Sequence, residues 1–98
     1  MVAIAKKKLS MFFLRKKPSG MLVALKKDDK YRYASVLAKE TDCTYSHTVR
    51  ILQELEKKKL IEFDKKGRIK MIKLTKLGRD VADCLERLMI LFEKADES

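Results

Sequence analysis

The sequence predicts a mainly α-helical domain of the α+β class, with one small β-hairpin and a long helix at its C-terminal end. Three observations lead there. Apolar residues recur at three- and four-residue intervals over most of the chain, the spacing of one helix face. A single stretch, LIEFDKKGRIKMIKLT, instead has β-like runs on either side of the turn residues DKKG. Finally, one Pro and three Gly interrupt 98 residues that are 46% hydrophobic and 39% charged, a composition that folds rather than staying disordered. A chain of this length makes one domain whose core covers roughly 60–65% of the unfolded surface, which leaves room for further stability from self-association.

The elements follow in chain order. Residues 1–17 form an N-terminal segment in which LSMFFLRKK fits either a helix or a short strand. Residues 18–75 form the core. There Pro18 and Ser19 predict a helix start with Ser19 as the N-cap, and Met21, Leu22 and Leu25 make an apolar stripe that ends at KKDDK. YRY at 31–33 predicts a brief strand, and ASVLAKE a helix with Ala34, Leu37 and Ala38 on one face. After TDCT, Thr44 supplies an N-cap hydroxyl for a helix from 45 to about 58 whose inward face is Thr48, Ile51, Leu52 and Leu55.

Two helices joined by so short a turn form a helix-turn-helix pair, with the small Ala38 where their axes approach. The turn contains no Gly, so Asp42 or Cys43 must adopt its special conformation, and Asp tolerates a left-handed backbone better than most residues. Runs at 60–64 and 68–75 predict the hairpin, with Ile72 and Leu74 on one face, lysines on the other, and a basic tip of Lys65, Lys66, Gly67 and Arg68. Thr75 then caps a helix from 76 to about 95 within the C-terminal segment 76–98.

Net charge is +10 from 24 basic and 14 acidic residues, and it is unevenly spread. Residues 1–30 and 57–76 are rich in Lys and Arg, whereas 77–98 is acidic. Most of the chain attracts polyanions and its end repels them. Cys43 and Cys84 have no metal-ligand or disulfide spacing and are expected to be buried small hydrophobes. MVAIAKKKLS has the charge order of a signal peptide reversed, and no run approaches the ~20 apolar residues that span a bilayer. The expected setting is cytoplasmic, without a membrane. No metal or other cofactor is expected.

The order helix, helix, basic hairpin, helix resembles the winged helix-turn-helix fold of MarR-like and ArsR-like transcriptional regulators. SVLAKETDCTYSHTVRILQELEKKKLIEF is similar to their helix, turn and recognition helix, and KMIKLTKLGRD to their strand-to-helix LTxxG element. The likeness spans about Ala34 to Asp83. One departure is Lys59, where the family usually has Gly before the leucine-isoleucine step. The hairpin wing is also shorter and lacks the family's acidic-arginine tip.

This resemblance implies double-stranded DNA as the partner and transcriptional regulation as the function. In such docking the first turns of the second helix enter the major groove. Thr44, Tyr45, Ser46, His47, Arg50 and Gln53 are then the expected reading residues, with Arg50 suited to guanine O6 and N7. Lys65, Lys66 and Arg68 are expected on the backbone or in the minor groove, and Lys57, Lys58, Lys70 and Lys73 are further phosphate candidates. The alternative is a winged-helix module for protein assembly or RNA binding that uses its basic face without sequence preference. An enzyme is not expected, because the single His47 has no activating partner in evidence and no Gly-rich phosphate loop occurs.

The terminal helix carries a heptad-like stripe. Val81, Leu85, Leu88 and Phe92 are the expected homodimer contacts, and the alternative is that residues 1–17 fold back over them.

Overall fold

A computed structural model describes residues 15–28, 32–66 and 69–97, without the side chains of Lys66 and Ile69. Helix α1 spans Lys16–Lys27. It begins at Arg15 as N-cap, a turn earlier than the sequence predicts, and Ser19 is a buried interior residue rather than the cap. Pro18 causes the difference: the first N–H groups of a helix have no intrahelical partner, so proline is accepted there without ending the helix. Met21, Leu22, Val23 and Ala24 are all buried in succession, so α1 is enclosed on most sides.

Arg32 and Tyr33 lead directly into helix α2, Ala34–Glu40, with Tyr33 as its N-cap. The brief strand expected at 31–33 is not present at Arg32 and Tyr33, which adjoin no strand to complete a ladder. Tyr31 itself lies outside the described residues. Helix α3, Tyr45–Lys57, follows after a tight turn.

Both α2 and α3 stop in the same way. Thr41 ends α2, Asp42 takes φ 51°, its N–H donates to Lys39 O, and the Cys43 N–H donates to Ala38 O at 2.9 Å. Lys58 ends α3, Lys59 takes φ 63°, its N–H donates to Glu56 O at 2.9 Å, and the Leu60 N–H donates to Leu55 O at 3.0 Å. This paired pattern is the Schellman motif, which satisfies carbonyls left over at a helix end and needs one left-handed residue. Asp42 is the turn residue the sequence pointed to.

The hairpin consists of β1, Ile61–Lys66, and β2, Ile69–Leu74, antiparallel, with Ile61 opposite Leu74 and Lys66 opposite Ile69. The first strand therefore runs two residues further toward the tip than expected, and two residues connect it to the second, which begins at Ile69 and not Arg68. Each added cross-strand pair completes the ladder, so pairing continues until the turn prevents it. Gly67 and the wing-tip residue Arg68 lie outside the described residues, as does the Leu9–Leu14 part of the ambiguous N-terminal stretch. Ile72 is buried. Lysines occupy both faces: Lys73 alternates with Ile72, whereas Lys70 shares its face.

Helix α4, Lys76–Asp96, closes the domain. Thr75 caps it by accepting the Gly78 N–H at 3.0 Å, and its hydroxyl donates to Lys59 O at 2.7 Å. Leucines and isoleucines from α1, α2, α3 and the hairpin form one core with Ala82 of α4. Lys26 ties α1 to α4, with Nζ 2.8 Å from Asp83 Oδ1 and 2.5 Å from Glu86 Oε1. That contact holds the Asp83 carboxyl below the usual carboxylate range and raises the Lys26 ammonium above the usual lysine range. Cys43 is half-buried against the core, but Cys84 is exposed; two residues on from the buried Ala82, it has rotated onto the outer side of α4. Among the described residues no helix is long and apolar enough to cross a membrane.

Candidate nucleic-acid interface

The site is built on α3. Thr48, Ile51, Leu52 and Leu55 turn into the core, which fixes the helix rotation and leaves Ser46, Arg50, Gln53 and Lys57 along its outer edge, all exposed. Tyr45 and His47 are exposed too but lie on opposite flanks of that edge. At about 100° per residue, Tyr45 shares a flank with Val49 and Glu56, and His47 shares the other with Glu54.

The N-terminus of α3 is well defined. Thr44 Oγ1 accepts the His47 N–H at 3.2 Å, and the Thr44 carbonyl accepts the Thr48 hydroxyl at 2.9 Å. Thr44 therefore serves first as the cap. The turn before it is held from outside by Lys17, whose Nζ donates to the carbonyl oxygens of Thr41 and Asp42, the second at 2.7 Å. A cation at the C-terminal end of α2 also complements the partial negative charge there. Nothing in the sequence pairs Lys17 with a turn 24 residues away; only the fold brings them together.

On the Tyr45 flank an open cleft of about 790 Å³ separates α3 from the hairpin and is lined by Tyr33, Tyr45, Gln53, Phe63, Lys65 and Lys70 among others. Lys65 and Lys70 stand directly opposite each other across the two strands, an arrangement of like charges that is unfavourable by itself and suits an anion placed between them. Lys70 Nζ also lies 5.2 Å from the centre of the Phe63 ring. Lys73 pairs with Asp64 at 3.5 Å on the other face, so its charge is partly answered within the hairpin. The backbone of Lys66 is in β1, at the tip end.

The expected dimer residues divide into two pairs. Val81 and Leu85 pack against the core. Leu88 and Phe92 are exposed, at 43% and 61%, and Ile90 and Leu91 beside them are exposed as well. The four share one face of α4, which the core covers at Val81 and Leu85 and leaves open further along the helix at Leu88 and Phe92. Among the described residues no group of His, Cys, Asp and Glu side chains is placed to hold a metal ion.

The profile of the family described as the DUF6293 C-terminal winged helix domain matches residues 3–86. No curated protein matches the chain. Among solved structures, MepR, a transcription regulator of the Staphylococcus aureus multidrug efflux pump MepA, superposes with TM-score 0.74 at 25% identity over 93% of this chain and 69% of that one. S. aureus MepR in complex with DNA gives 0.70 at 23% identity, over 96% and 79%. The MarR family transcriptional regulator SPO1453 from Silicibacter pomeroyi DSS-3 gives 0.73 at 18% identity, over 97% and 82%. The winged helix-turn-helix expected from the sequence is the fold observed, and it is the fold of MarR-family regulators.

Proposed function

Because the chain belongs to the DUF6293 C-terminal winged helix domain family, we propose that it is a sequence-specific double-stranded DNA-binding protein that regulates transcription. The observation that carries this reading is the outer edge of α3: Ser46, Arg50 and Gln53 stand exposed on a helix whose start is capped and whose opposite side is locked in the core. A helix so presented fits a major groove about 12 Å wide. Arg50 would take guanine O6 and N7, Ser46 a base edge or phosphate, and Gln53 adenine or the backbone one turn on. Lys65, Lys66 and Arg68 of the wing would lie on phosphates or in the minor groove, where they contribute affinity more than base identity. That S. aureus MepR forms a DNA complex on the same fold supports the reading.

Self-association belongs to the same proposal. Leu88 and Phe92, with Leu91 at their edge, form the face by which α4 would pair with its copy, placing two α3 helices roughly 34 Å apart for a two-fold DNA site.

Fluorescence anisotropy on a duplex selected from random sequence, on unselected duplex and on single-stranded RNA, with Arg50→Ala alongside, tests the proposal. Tight binding to the selected duplex at physiological salt is expected, with Arg50→Ala losing about 1–3 kcal/mol and relaxing the preference. Equal and salt-labile binding to all three would overturn sequence-specific reading and favour a non-specific or RNA-binding module.

A further inference from the structure

Resting on the duplex-DNA reading of α3, we infer that Arg15 and Lys16 form a second phosphate-binding site, on the side of α3 opposite the wing, that takes the other strand of the same major groove. A helix about 10–12 Å across that enters a groove about 12 Å wide has a sugar–phosphate strand along each of its sides. One side of α3 is provided for by Lys65 and Lys70 of the hairpin. The other side is bordered by the start of α1.

There His47, Arg50, Ile51 and Glu54 of α3 share a cleft of about 400 Å³ with Arg15, Lys16, Lys17 and Pro18. Lys17 is already engaged with the turn carbonyls. Arg15 and Lys16 are both exposed, and among the described residues neither forms an ion pair. Glu54 is the one carboxylate among the residues that line the cleft, so its charge balance is cationic, and the facing cations repel one another until a polyanion enters. The two side chains also start from a firm base, because Pro18, Ser19 and Met21 to Ala24 of α1 are buried. Rigid support of this kind places a charge at low entropic cost.

The wing and the first turn of α1 thus bracket the reading edge. The hairpin would grip one strand and Arg15 with Lys16 the other, while Ser46, Arg50 and Gln53 face the bases between them. Contacts of this type fix register and add affinity without carrying sequence information.

The test compares the double variant Arg15→Ala/Lys16→Ala with the unaltered protein, by anisotropy over a salt series on the selected duplex and on the same duplex with one substituted base pair. Both affinities should fall by the same factor, leaving their ratio unchanged, and the slope of log K against log salt should flatten by about 0.9 for each cation removed. Lys27→Ala serves as the charge control. It removes a cation from the far end of α1, about 16 Å along the helix and beyond the ~8 Å screening distance at physiological salt, so it should leave the slope unchanged. An unaltered slope in the double variant would overturn the inference, as would equal flattening by Lys27→Ala. If the unaltered protein showed no preference between the two duplexes, the reading of α3 itself would fail and this inference with it.

Discussion

Gly78 sits so close to Leu60 that a Cβ built on it would lie 1.8 Å from the Leu60 carbonyl oxygen and 2.8 Å from the carbonyl carbon. The same carbonyl accepts the Thr75 N–H at 3.1 Å, so it has no freedom to retreat. The first turn of α4 is thereby clamped onto the end of α3 and the start of β1. Gly78→Ala should destabilise the protein by about 3 kcal/mol, despite the roughly 1 kcal/mol that alanine gains over glycine within a helix. Urea unfolding at fixed protein concentration measures this, and a midpoint at or above that of the unaltered protein would show the contact to be loose.

Lys59 makes the opposite prediction. It holds a left-handed backbone at φ 63°, where a Cβ meets the following carbonyl and costs about 1–2 kcal/mol. Lys59→Gly should raise stability by about 1 kcal/mol, or roughly 4–8 °C in Tm for a domain of this size. Asp42→Gly should gain less, because aspartate already tolerates that conformation. Similar gains at both sites would contradict the distinction.

The contact of Lys26 with Asp83 and Glu86 gives stability a pH signature. Asp83 titrates lower in the folded protein than in the unfolded chain, so its contribution is present above about pH 4 and is lost as pH falls through the lowered value. Lys26 titrates higher, so its contribution is present below about pH 10.4 and is lost as pH rises through the raised value. Lys26→Met should therefore be destabilising by a constant amount between about pH 5 and 9, with the difference from the unaltered protein shrinking at both extremes. A difference that stays constant into strong acid would mean that the lysine acts through packing alone.

Phe92→Glu should dissociate a homodimer built on α4. Burial of one such side chain contributes about 1.5–3 kcal/mol, and two-fold symmetry counts it twice, so the dimer Kd should rise at least about 100-fold. Sedimentation equilibrium reads the mass directly. Folding should be unaffected, since Phe92 is 61% exposed. An unchanged mass would place any pairing surface elsewhere.

Much of this was legible residue by residue. Thr44 and Thr75 were readable as caps because a hydroxyl bonds N–H groups within its own turn. Asp42 was readable as the turn residue because its preference is intrinsic, and the inward face of α3 because helical period needs no partner to define it. The start of α1 was not, since Pro18 is permitted anywhere in a first turn. Nor was the length of the hairpin, which is set by pairing across the strands.

The sequence by itself determined the kinds and order of the elements and which edge of α3 faces outward, because these depend on contacts within a turn or two of chain. The tertiary structure alone decided which distant groups meet: Lys17 with the turn at Thr41 and Asp42, Gly78 with Leu60, and Arg15 and Lys16 with the His47 side of α3. It also separated Val81 and Leu85, which the core covers, from Leu88 and Phe92, which lie on the same face of α4 but beyond the reach of the core. A helical stripe states which residues are apolar together, but what each of them packs against is fixed only when the neighbouring elements close around it.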